Sequence, residues 1–147
     1  MMEGKPDNKT KEEFLRITQE RLKGITWTGP KEVYVMFDKL AVLHPIYHPW
    51  FDSSQEIQGF VQEYKKAVLG GTKLPQKYSF VQQDIDKKYD IDVDVMMKKR
   101  PLIILQKGNY YSIIDGSHRF WGKVAQELKK DELIKYIQVN AYIGEMN

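Results

Sequence analysis

Residues 101–121 read PLIILQKGNYYSIIDGSHRFW. Two β-prone runs, Leu102 to Leu105 and Tyr110 to Ile114, flank Lys107-Gly108-Asn109, and this pattern predicts a hairpin. The second run gives way to Phe120, Trp121, Val124, Ala125 and Leu128, whose spacing predicts an amphipathic helix. Between them stands Gly116, which can take backbone angles that other residues resist, so the chain can turn sharply there.

Working outward, Met96 to Arg100 reads as one helical turn ended by Pro101. Ile137, Val139, Tyr142 and Ile143 suggest a closing strand. Upstream, Ser53 and Glu56 have capping-box spacing, and Ile57, Phe60, Val61, Tyr64, Ala67 and Val68 recur every three or four residues before Gly70-Gly71. A first helix is expected over Thr10 to Lys23, capped by Thr10 and Glu13, with an apolar stripe of Phe14, Leu15 and Leu22. Gly29-Pro30 reads as a turn, Val33, Val35 and Phe37 as a strand, and Tyr78 to Val81 as a short strand. Residues 1–9 are expected to be a dispensable tail and 10–147 a single α+β domain, a small mixed sheet flanked by helices.

Composition narrows the function classes. The 147 residues are 41% hydrophobic and 29% charged, as in a globular chain. There is no run of about 18 apolar residues and no apolar leader, so neither a membrane span nor a secretory signal is expected. The absence of Cys excludes disulfides, a thiol nucleophile and Cys-ligated metal, and fits a cytoplasmic protein. A net charge of +3 is modest for a chain whose main business is DNA binding.

The chemistry-bearing segment is Asp115-Gly116-Ser117-His118-Arg119. The first turn of a helix presents free N–H groups and a partial positive charge. Ser117 adds a hydroxyl, His118 a group that donates, accepts or carries charge, and Arg119 a planar cation. Together they can form a phosphate cradle. Asp115 can orient His118, accept a proton or hold a metal ion. The plainer alternative is that Asp115 or Ser117 caps the helix and His118-Arg119 is a solvated face.

This segment resembles the core of the ParB/sulfiredoxin superfamily: a Pro, a strand, a short turn, a second strand and a D-G-x-H-R helix start. The likeness extends over about residues 31–143, with residues 101–125 distinctive. Sulfiredoxins carry G-G-C-H-R, and Ser117 stands at the reactive Cys, which excludes sulfinic-acid reduction by that route. Partition proteins carry G-E-R-R-x-R-A. Gly116 and Arg119 match, but Trp121 and Gly122 replace the last Arg and Ala. Partition proteins also continue into helix-turn-helix and dimerisation domains, so a chain ending at Asn147 is expected not to be a complete one. The D-G-x-H-R form is similar to stand-alone members, including nucleotide-dependent free-serine kinases and proteins with ATPase or nuclease activity. The resemblance implies a nucleotide-phosphate site at Gly116, Ser117, His118 and Arg119, with His118 and Asp115 as catalytic candidates. It also implies ATP or another NTP with magnesium, contacted by Asp115. The serine kinases use a further acid from their N-terminal part, and no residue here aligns with it.

Other clusters are weaker. His44 and His48 are four apart, but Pro45 and Pro49 rule out the helix that would pair them on a metal, and the simpler reading is a loop anchored by Trp50 and Phe51. Asp84, Asp86, Asp90, Asp92 and Asp94 do not match a calcium loop, since Tyr89 and Val95 stand where Gly and Glu are needed; they read as an acidic surface. Lys65-Lys66, Lys87-Lys88 and Lys98-Lys99-Arg100 read as solvated faces. Of Phe120 and Trp121, one is expected in the core and the other beside a base pocket.

Two function classes follow. The first is an NTP-dependent phosphotransferase or NTPase. The second is a non-enzymatic DNA- or protein-binding module of plasmid or phage type, or one with nuclease activity. The modest charge predicts nucleic-acid binding that is weak, sequence-independent and lost as salt rises. A fluorescence titration at two salt concentrations checks this; tight, sequence-selective binding at high salt would contradict it.

Overall fold

The computed structural model describes residues 6–43, 50–86 and 93–146. Its elements run α1 (Asn8–Glu20), β1 (Thr26–Met36), α2 (Ser54–Gly70), α3 (Ser79–Asp86), α4 (Val93–Lys99), β2 (Leu102–Lys107), β3 (Tyr110–Asp115), α5 (Ser117–Lys130) and β4 (Tyr136–Glu145). The four strands form one mixed sheet in the order β1-β4-β2-β3. Strand β4 is antiparallel to β1 and parallel to β2, while β2 and β3 make the antiparallel hairpin. The architecture is α+β.

The run Leu102 to Leu105 is apolar throughout because helices cover both faces of the sheet. Leu102 and Ile104 point into the larger core with α2, α3 and α5, while Ile103 and Leu105 join a smaller cluster with Ile17 and Leu22. In that smaller cluster Phe14 stacks on Tyr142, with ring centroids 3.9 Å apart, and meets Trp27 edge-on.

Helix α2 follows its sequence pattern closely. The Ser53 hydroxyl accepts from the Glu56 N–H at 3.1 Å, the six periodic apolar residues are buried, and Gly71 closes the helix in the left-handed region. Both predicted hairpin strands, α5 and the closing strand are also present.

Four readings need correction. Helix α1 starts at Asn8, because the Asp7 carboxylate accepts from the Thr10 N–H at 2.7 Å; Asp7 is the cap, Thr10 lies inside the helix, and residues 7–9 are not tail. Glu13 pairs with Arg16 instead of reaching back, and Ile17, not the half-exposed Leu15, completes the apolar stripe. Strand β1 runs through Gly29-Pro30, where the register with β4 shifts between Thr28 and Lys31. A proline is tolerated there because an edge-strand bulge has no ladder N–H to lose. Tyr78 to Val81 is not a strand: Tyr78 ends a 3₁₀ turn and Val81 lies in α3. Tyr78, Val81 and Ile85 repeat at helical spacing and all face the core.

Trp50 and Phe51 pack as the loop reading expects, Phe51 against Phe60 and Tyr78. His44, His48, Lys87, Lys88, Asp90 and Asp92 lie outside the described residues. Among the described residues no helix is long and apolar enough to cross a membrane.

One buried hydrogen bond ties α2 to α5: the Tyr64 hydroxyl donates to the Trp121 carbonyl at 2.6 Å, and Tyr64 is fully buried. Tyr64→Phe should lower stability by about 0.5–1.5 kcal/mol, the net worth of one hydrogen bond, since the Trp121 carbonyl keeps its place in the α5 ladder. Chemical denaturation checks this; an unchanged midpoint would contradict it.

Candidate functional site

The site is built around the start of α5. Strand β3 ends at Asp115, Gly116 takes φ +91° and ψ 23°, and the helix begins at Ser117. The backbone angle favours glycine, and a Cβ at residue 116 would in addition displace the tips of Leu102 and Arg119, lying 2.7 Å from Arg119 Nη2. No side-chain hydrogen bond caps this helix start. The plainer reading of Asp115 or Ser117 as the cap is therefore not what the backbone shows. Ser117 is buried, 8% exposed.

Arg119 folds back over the turn. Its Nη2 lies 3.7 Å from Asp115 Oδ2 and donates to the Pro101 carbonyl at 3.4 Å. Its side chain is 18% exposed, and Nε is buried with no hydrogen-bond partner among the described residues. Burial pushes the guanidinium below its ordinary range, and the Asp115 carboxylate pulls it back up. Asp115 and Arg119 line a cavity of about 220 Å³ together with Lys9, Thr10, Glu13 and Arg100. Helix α1 thus supplies one wall of the site. Arg100, expected on a solvated face, and Lys9, expected in the tail, both belong to this cavity.

His118 faces different neighbours. Its Nδ1 lies 2.7 Å from Asp84 Oδ2 on α3 and 3.4 Å from Gln83 Nε2. The Asp84 side chain has no exposed surface, whereas that of His118 is 48% exposed. The Trp50 ring sits 4.9 Å from the imidazole and 4.9 Å from Phe80, each nearly edge-on.

The segment Asp115 to Arg119 is therefore brought together, but its roles divide. Asp115 pairs with Arg119, and the residue that orients His118 is Asp84. Asp84 is the residue the sequence reading missed, having placed it on an acidic surface. The available signal was the spacing Tyr78, Val81, Asp84, Ile85, which puts an acid on the apolar side of a helix. Phe120 and Trp121 are both buried in the core, so neither lines a base pocket.

The carboxylates available near the cavity are Asp115 and Glu13. No group of three or more His, Asp or Glu able to hold a metal ion occurs among the described residues. Magnesium held mainly by phosphate oxygens needs only one or two carboxylates, and Asp115, paired with Arg119, is one of the two at the cavity.

Gly116→Ala should destabilise the chain by roughly 1–2 kcal/mol from backbone strain alone, and more from the crowding at Leu102 and Arg119. Thermal denaturation checks this; an unaltered Tm would contradict the turn. A scan against protein-family models, a search of curated proteins and a search of solved structures each returned no match to this chain.

Proposed function

We propose that the chain is a ParB/sulfiredoxin-like nucleotide-phosphate-binding domain that acts as an ATP- or other NTP-dependent phosphotransferase or NTPase. The observation that carries this reading is an uncapped helix start beside a largely buried guanidinium whose Nε has no partner among the described residues. Phosphate oxygens satisfy free helix N–H groups and a buried guanidinium at once. Lys9 and Arg100 add positive charge to the same cavity. The hairpin, the Gly116 turn and a closing strand parallel to β2 are the features that support the superfamily reading.

In this reading the residues divide the work. The N–H groups of the first turn of α5 and Arg119 hold and neutralise phosphates, and Lys9 and Arg100 neutralise further charge. Asp115 keeps Arg119 in place and offers one carboxylate to a nucleotide-bound magnesium ion. His118 stands in the same helical turn and contacts the transferred phosphoryl group. The nucleotide supplies that group, and transfer depends mainly on position and charge.

A second reading, a protein-binding module, rests on Tyr34, Met36 and Tyr136. They are exposed, with Tyr34 and Tyr136 edge-on at 5.6 Å, where β1 forms the edge of the sheet.

A thermal-shift panel of ATP, ADP, CTP and GTP, with and without magnesium, tests the first reading. A nucleotide at 100 times its Kd should add about 2.7 kcal/mol of stability. Arg119→Ala should weaken that nucleotide about ten- to a hundredfold, the loss of a charge-assisted hydrogen bond. Because Arg119 is largely buried, the variant should also melt earlier, so affinity is measured on the folded fraction. Absence of any shift in the wild type, or full affinity in folded Arg119→Ala, would contradict the reading.

A further inference from the structure

The pairing of His118 with Asp84 is not explained by phosphate binding. A residue that only neutralises phosphate gains nothing from a hidden carboxylate, which competes for the same charge. Burying a carboxylate is costly unless it is paired or hydrogen-bonded, and His118 is one of its partners. Here the burial is one-sided: Asp84 is shut off from solvent, while half of the His118 side chain remains open. A merely structural bond between two core groups would bury both.

We infer that Asp84 and His118 form a proton-transfer dyad in which Asp84 is a positioning residue and His118 Nε2 is the base for an attacking O–H group. This rests on the phosphoryl-transfer reading above, and names the nucleophile class for it: water or a substrate hydroxyl.

The geometry supports each part. The 2.7 Å contact goes to Nδ1, so in the neutral ring the proton sits on Nδ1 and is donated to Asp84 Oδ2. That leaves Nε2 as the lone-pair nitrogen. The Trp50 ring limits how the imidazole can swing, and Phe80 extends the apolar wall. His118 is the second residue of α5, one position from the guanidinium assigned to the phosphates, so the base and the phosphate-holding group share one helical turn.

The step balances as a displacement. The attacking oxygen forms its bond to phosphorus, and its proton passes to Nε2. The bond from phosphorus to the bridging oxygen breaks, and its electron pair leaves on the nucleoside diphosphate. The resulting imidazolium is held by Asp84 and returns its extra proton to solvent through its exposed edge.

Two measurements on the full chain test this. The first is ¹⁵N NMR of the histidine rings, with the His118 signals identified by their loss in His118→Gln. Neutral His118 should carry its proton on Nδ1, the reverse of the usual preference of a free side chain, and Asp84→Asn should remove that bias. The second is nucleotide turnover. Asp84→Asn and His118→Gln should each lower kcat about a hundredfold or more, with nucleotide affinity within a fewfold of wild type. His118→Gln alters a half-exposed position, so it keeps the test open if Asp84→Asn does not fold. A proton on Nε2 in the neutral wild type, or wild-type kcat in either folded variant, would overturn the dyad. A wild-type protein with the Nδ1–H form that binds no nucleotide would instead overturn the phosphoryl-transfer reading and leave the pairing standing.

Discussion

At Gly116 the backbone enters the left-handed region at φ +91°, and the rest of the site depends on that turn. It redirects the chain from the edge strand β3 into α5, which buries Phe120, Trp121, Val124, Ala125 and Leu128 against the sheet. The missing side chain leaves the space that the Arg119 guanidinium and Leu102 occupy. The same turn starts α5 without a side-chain cap, and Arg119 folds back over it toward Asp115 and the Pro101 carbonyl. A residue with a Cβ would displace the guanidinium and strain the backbone at once.

The consequence is a helix start with two chemically different sides. One side is a small cavity in which Lys9, Arg100 and Arg119 outnumber Glu13 and Asp115. The other is a half-open imidazole backed by a buried carboxylate and an aromatic wall. Adjacent positions on a helix differ by about 100° in direction, so His118 and Arg119 reach separate neighbours while staying in one turn. Fixed cations therefore stand on one side of the turn and a half-exposed imidazole on the other.

The legible parts of the fold were those fixed by local pattern. The hairpin follows from two β-prone runs around Gly108-Asn109, and α2 and α5 follow from their caps and periodicity. The illegible parts were decided by distant partners. Strand β1 passes through Gly29-Pro30 because β4 pairs on both sides of the bulge, which no local window reveals. Phe120 and Trp121 are both interior because the neighbouring Tyr64 and Phe60 surround Trp121. In the site, Gly116 and Arg119 were legible as a turn and a cation. Asp84 was not, because alternation of acids and apolar residues farther along its segment suggested an outward-facing acidic surface. Its partner is 34 residues away in the chain.

The most direct test of the account is a backbone-amide NMR titration of the full chain with ADP and magnesium. The account predicts that the Ser117, His118 and Arg119 amides move furthest, because phosphate oxygens accept from the first turn of α5. Saturable shifts that spare this turn and gather elsewhere, or no shifts at all, would contradict it.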